Sequence, residues 1–247
     1  MLHDFFKAIG SYGTALTYMT RRRLWHWQIV PGLLSLLIGA VVFGLAYRFG
    51  DNLGSWMVSW YPWDWGRSVV EKVFHWIGAI LIVITGLFAY RYILLMTLSP
   101  VLSLLSEQTE KIHLGAPMQQ GGFSVRRMVR DVRRGLYLTI RNLIRELLWT
   151  ALLSLLSVIP GINSFTTPAI FAVQSFYAGF GNMDFTMERY MAPRERIAFV
   201  RRYKGLAIGN GLIFLAILFI PLIGLFLAPT LGVIASTIDV LDRLERE

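Results

Sequence analysis

Four long stretches almost free of acidic and basic residues limit what this chain can fold into. Residues 24–47, 147–183 and 205–238 carry no Asp, Glu, Lys or Arg, and residues 73–106 carry only Arg91. A helix that is apolar all round must sit in a large core or in lipid. A membrane crossing needs about 20 apolar residues at about 1.5 Å rise each. Only 16% of the 247 residues are charged, against about 25% in soluble domains. The expectation is therefore an integral membrane protein with small extramembrane parts. The chain has no Cys, which excludes a disulfide scaffold and a Cys-ligated metal. The net charge of +9 points to anionic headgroups or an anionic solute before nucleic acid.

The first two stretches read as continuous transmembrane helices over residues 24–50 and 73–98. The second is expected to end or bend near Ser99-Pro100, since proline lacks the backbone donor a helix needs. The other two differ in kind. Ile159-Pro160-Gly161-Ile162 with trailing Pro168 interrupts one, and Ile220-Pro221-Leu222-Ile223 with trailing Pro229 interrupts the other. Each half is then roughly 13 to 17 residues, or about 20–25 Å of helix, short for a core of about 30 Å. Two partly inserted helical hairpins are expected, over 147–184 and 205–240, the matching breaks forming a weak internal repeat. Full crossings joined by ordinary proline-bounded loops are the alternative. Backbone freed at membrane depth must be buried in protein or line a wet cavity, so inserted tips imply close packing, oligomerisation or a pore.

Residues 1–23 are expected to form an amphipathic helix on the inner membrane surface, with Phe5, Phe6, Ile9, Tyr12, Ala15, Leu16 and Met19 at helical spacing. The Lys and Arg residues flank the apolar stretches on one side, whereas the connection after residue 48 holds Trp56, Trp60, Tyr61, Trp63 and Trp65. That pattern places the N- and C-termini inside and the aromatic belt outside. No cleavable signal peptide is evident, because the first apolar run is span-length and no small-residue cleavage site follows it. Residues 99–146 form a basic cytoplasmic helical segment, and the whole is expected to be one domain, 1–247.

Two groups of residues are candidates for anion chemistry. Arg21, Arg22 and Arg23, with His26, lie where the surface helix meets the first span, a place where guanidinium groups and helix-terminal N–H groups can hold an anion. The bland reading is a positive-inside anchor. Arg127, Arg130, Arg134, Arg141 and Arg145 recur at 3-, 4- or 7-residue spacing and share one helical face. They form either an interfacial helix on anionic lipid or a vestibule that concentrates an anion. Arg91 either snorkels to the inner interface or pairs with Asp184 or Glu107. His3, His26, His75 and His113 are scattered, with no metal-ligand spacing. No nucleophile elbow, P-loop or dinucleotide fingerprint is present. The expectation is a protein that is not an enzyme, with no cofactor and no metal.

The segment Pro100-Val101-Leu102-Ser103-Leu104-Leu105-Ser106-Glu107-Gln108-Thr109-Glu110 resembles the Pro-x-x-x-Leu-Leu-x-Glu-x-x-Glu stretch of CysZ-type proteins, within the etoposide-induced 2.4-like membrane family. The two proline hairpins and the connector from Met183-Asp184-Phe185 to Pro193-Arg194-Glu195 resemble that family in order and spacing. The resemblance implies an all-α membrane protein with two long spans and two hairpins. It also implies a homo-oligomer that passes sulfate inward, in a bacterial inner membrane, for cysteine synthesis. The family's sulfate-contacting loop carries a Gly-x-Arg-type motif. Aligned on Pro31, the Gly position is Arg23 and the Arg position falls on Trp25 or His26. The expectation is an altered loop, in which the Arg triplet replaces the charge but not the backbone geometry that glycine permits.

Passive uptake of sulfate or another oxyanion is therefore the first functional reading. A non-transport role in membrane shaping, lipid binding or scaffolding is the alternative. The hairpins offer few polar side chains, Asn163, Gln174, Ser175, Asn182, Asn210, Thr230, Ser236 and Thr237 among them, which is thin for a water-filled pore. An enzyme of lipid chemistry would need clustered carboxylates, and Asp51, Asp64, Glu107, Glu110 and Asp131 are dispersed in sequence.

Overall fold

The computed structural model describes residues 1–59, 67–115, 125–157, 159, 161–220 and 223–245. Among these, all regular structure is helical: α1 (Leu2–Arg21), a short 3-10 helix (Leu24–Gln28), α2 (Ile29–Val58), α3 (Arg67–His113), α4 (Val125–Leu156), α5 (Asn163–Met187), α6 (Pro193–Arg202), α7 (Lys204–Leu218) and α8 (Ile223–Leu244). The chain divides into two compact units, one of Met1–Gly32 with Leu95–Glu247, the other of Leu33–Leu94. The smaller unit holds most of α2 and the first part of α3.

Among the described residues one helical stretch, Leu24–Val42, is long and apolar enough to cross a membrane, and Lys204–Leu218 is apolar but shorter. On α2, Leu33, Leu37 and Val41 expose more than half of their surface, an apolar stripe at i, i+4, i+8 that water would not favour. Pro160 and Pro221 lie outside the described residues, as do the side chain of Arg91 and Trp60, Tyr61, Trp63 and Trp65 of the aromatic belt.

The trailing prolines do not end their helices. Pro168 lies inside α5, which runs for 25 residues, and Pro229 lies inside α8, which runs for 22. Both stand within the first two turns, where little of the backbone ladder precedes them and one freed carbonyl is the main loss. The half-lengths read from the sequence are therefore too short for α5 and α8, whereas α7 is 15 residues long. Pro100 likewise sits within α3, which continues to His113. The basic run and the first arm of hairpin 1 form one helix, α4.

In the larger unit α7 is the centre, packed by α1, α5 and α8. Its sequence shows why. Gly205 and Gly209 make one face, where an added Cβ would strike the backbone oxygens of Met1 and Phe5 on α1. Gly211 makes another, where a Cβ would collide with Ser175 O on α5; reciprocally, a Cβ on Gly179 would strike Ala207 O. Small residues on both helices allow the backbones to touch, the packing usual among membrane helices. Ala8, Phe180, Met183, Met187, Phe199, Val200, Leu206, Ala207 and Val240 fill the space around this crossing. α3 adds Leu98, Leu102, Leu105, Ser106 and Thr109, all buried and spaced as one helical face.

α1 departs from the simple surface helix. Ala8, Tyr12, Ala15 and Met19 are buried where α1 packs on α7 and α8. Leu2, Phe6 and Leu16 remain exposed on an adjacent stripe. The apolar arc is wide enough to serve protein on one flank and leave the other open. The hairpin tips are also apolar and open: Ile159, Ile162 and Phe165 in one, Phe219, Ile220 and Ile223 in the other. Gly161 supplies the left-handed turn at the first tip, with φ of 87°.

Candidate anion-binding site

α1 ends at Arg21, and the N–H of Arg22 donates to Tyr18 O at 2.9 Å. Arg22 has φ −98° and ψ 8°. Arg23 then turns left-handed, with φ 54° and ψ 39°, alone among the described non-glycine residues in positive φ. The Arg22 N–H is spent on Tyr18 O, so the turn offers an anion its exposed guanidinium groups, while the backbone at Arg23 is left-handed. The expectation that this loop lacks the backbone geometry of glycine is thus corrected: Arg23 takes the conformation itself. For a residue with a Cβ this costs about 1–2 kcal/mol, so the surroundings must hold it.

They do so from both sides. Leu24 and Gln28 of the 3-10 helix are buried, and Gln28 Nε2 donates to Met19 Sδ at 3.4 Å. His26 Nδ1 lies 3.0 Å from Arg23 O; because a carbonyl only accepts, this ring nitrogen carries the proton. The side chains of Arg21, Arg22, Arg23 and His26 are exposed. Arg21, Arg22, Arg23 and His26 are brought together here by their adjacency in the chain. Arg141 and Arg145 sit one turn apart on α4, Arg141 partly buried and Arg145 exposed. The side chains of Arg127, Arg130 and Arg134 lie outside the described residues.

Between α1 and α8 the larger unit holds a set of ionic contacts that the dispersed positions of its residues conceal. Lys7 Nζ meets Asp242 Oδ2 at 2.6 Å, Ser11 Oγ donates to Asp239 Oδ1 at 2.7 Å, and Arg243 pairs with Asp4. The spacing 4, 7, 11 on α1 and 239, 242, 243 on α8 is the signal that could have revealed it, since each set lies on one helical face with complementary charge. Burial alone would raise the carboxyl of Asp242, but the hydrogen bond and charge of Lys7 and the hydrogen bond of His113 hold it below its usual value. Arg189 binds Glu110 Oε2 at 2.6 Å and Ser106 Oγ at 3.0 Å. Tyr190 donates to Glu110, and burial together with that acceptor pushes its hydroxyl up to about 12.

Asp184, at the end of hairpin 1, is buried and paired with the buried Arg196 at 2.8 Å. Glu107 pairs with Lys111 at 2.8 Å. Among the hairpin polar groups, Asn182, Asn210 and Thr237 find side-chain partners on other helices, whereas Thr230 and Ser236 bond carbonyls of their own helix. Asn182 Nδ2 donates to Asn210 Oδ1 at 2.8 Å, and Thr237, Thr186 and Ser106 hydroxyls lie 2.9 Å apart. Buried polar groups must find such partners, and here they tie α3, α5, α7 and α8 together.

No curated protein matches the chain. The family model described as sulfate transporter CysZ/etoposide-induced protein 2.4 matches residues 11–229. Taken with the helical architecture, that match places the chain as a member of the sulfate transporter CysZ/etoposide-induced protein 2.4 family of membrane proteins.

Proposed function

We propose that this protein is an oxyanion permease that lets sulfate pass down its gradient into a bacterial cell, across the inner membrane, to supply cysteine synthesis. The observation that carries this reading is the Arg22–Arg23 turn. It carries three exposed guanidinium groups on a turn closed by a left-handed residue. A dianion entering such a loop exchanges hydration for charge-assisted hydrogen bonds to guanidinium forks. Arg141 and Arg145, with Arg127, Arg130 and Arg134 on the same helix, supply a basic surface that raises the local anion concentration. No covalent change of the anion is part of this function, so the protein acts as a conduit and not as an enzyme. The exposed apolar tips of both hairpins and the open stripe of α2 favour insertion in lipid, with the termini on the cytoplasmic side. Passage then runs along hairpin or subunit interfaces of a homo-oligomer.

The open stripe of Leu2, Phe6 and Leu16 on α1 also suits a second reading, a lipid-binding scaffold that moves no solute. Equilibrium binding to the full chain in nanodiscs separates the two. Inorganic sulfate is expected to bind better than chloride or nitrate, and Arg21→Gln/Arg22→Gln/Arg23→Gln to weaken it at least about 10-fold, as the loss of charged hydrogen bonds requires. Equal binding of all anions, or no effect of the triple substitution, would reject the permease and leave the scaffold.

A further inference from the structure

Tyr18 is joined to the loop through its backbone and to the rest of the protein through its side chain. Its carbonyl accepts the Arg22 N–H at 2.9 Å, the bond that closes α1 immediately before the left-handed Arg23. Its hydroxyl lies 3.3 Å from His113 Nδ1, on the last turn of α3. His113 Nε2 in turn lies 2.9 Å from Asp242 Oδ1 on α8, and Asp242 Oδ2 returns to Lys7 of α1 at 2.6 Å. One tautomer satisfies the whole chain. With the proton on Nε2, His113 donates to the carboxylate and accepts the Tyr18 O–H at Nδ1. The His113 and Asp242 side chains are only 18% and 25% exposed, so the bonds are shielded from competition by water.

We propose that Tyr18, His113 and Asp242 are positioning residues of the anion loop, forming a strut that stops the last turn of α1 from fraying and so fixes the turn that carries Arg21, Arg22 and Arg23. The last turn of a helix is its least stable part, because its carbonyls lack partners within the helix. Here that turn must also hold a non-glycine residue in a strained conformation. Local bonds across the loop (Gln28 to Met19, His26 to Arg23) hold its far side. The strut adds a side-chain link from its near side to α3 and α8. Lys111 and Glu110 are charged neighbours of His113 in sequence, and they are engaged with Glu107 and with Arg189 and Tyr190. This role rests on reading the Arg21–Arg23 loop as the anion site, but it makes a prediction about the loop that needs no anion.

The chain has no cysteine, so a single spin label can be placed at Trp25→Cys on the exposed side of the loop. In the full chain in nanodiscs, Tyr18→Phe and His113→Leu are each expected to loosen the label and to weaken inorganic sulfate binding about 5-fold, the worth of one hydrogen bond. Combined, they do no more than either alone, because both cut the same strut. His113→Gln, whose amide can accept from Tyr18 and donate to Asp242, restores label mobility and affinity. A general loss of packing would give additive effects and no rescue. An unchanged label in folded Tyr18→Phe, which deletes a single oxygen, would overturn the strut even if His113→Leu fails to fold. A wild type that binds no sulfate, with a label that still loosens in Tyr18→Phe, would uphold the strut and refute the anion reading alone.

Discussion

Arg23 concentrates two opposing demands in one residue. Its charge suits an anion, while its left-handed backbone, φ 54°, suits glycine. The two can be separated. Arg23→Gly is expected to be more stable than Arg23→Gln by about 1 kcal/mol, since both remove the charge and only glycine removes the strain. Thermal melts of the two variants check this. Asp242 is the second informative residue. Its folded pKa lies below its unfolded value, so its ionised form favours the folded state. That contribution is fully present above the ordinary carboxylate pKa of about 4 and is lost as pH falls through the depressed folded value. Asp242→Asn is therefore expected to be less stable than the wild type at neutral pH, with the difference closing in acid, as chemical denaturation from pH 7 to 3 would record. A constant difference across that range would show that the pairing with Lys7 and His113 contributes nothing.

Among the elements, α7 depends most on side-chain size. Gly211→Val and Gly179→Val push a side chain into the backbone of the facing helix, and are expected to destabilise by more than the roughly 1–3 kcal/mol of ordinary overpacking, because backbone cannot rotate away. Gly10→Ala and Gly13→Ala on α1 meet nothing within 4 Å and are expected to stabilise by about 0.5–1 kcal/mol. Melting temperatures of the four variants test the distinction. The same element scale shows what was legible in the sequence. The charge-free runs fall within helices, and the two breaks fall between α4 and α5 and between α7 and α8, although α3 and α4 extend well beyond the runs. The effect of Pro168, Pro229 and Pro100 was misread, because the rule that proline ends a helix weakens near an N-terminus and where packing supports the chain. The face that α1 turns inward could not be read, because its apolar arc is broader than one contact and only the partner decides which flank is covered. The ion pairs of Asp4, Lys7, Asp239 and Asp242 join segments more than 200 residues apart, and no local pattern states which helices will meet. Arg23 was misjudged for a different reason. A propensity argument assigns left-handed backbone to glycine, whereas the anchoring of Leu24 and Gln28 imposes it on arginine.

For the whole molecule, the larger unit combines two properties seldom found together. Its surface carries open apolar tips at Phe165 and Phe219, and its interior carries polar pairs that join helices, among them Asp184 with Arg196 and Ser106 with Thr186 and Thr237. Lipid accounts for the first and tight helix packing for the second. Within that frame the exposed cationic loop of Arg21, Arg22 and Arg23 is where we propose that the anion binds. Uptake of radiolabelled sulfate into proteoliposomes tests this most directly. Wild-type protein is expected to admit sulfate well above empty liposomes, with Arg21→Gln/Arg22→Gln/Arg23→Gln reduced at least about 10-fold while still folded. Folded wild-type protein that admits no more sulfate than empty liposomes would contradict it.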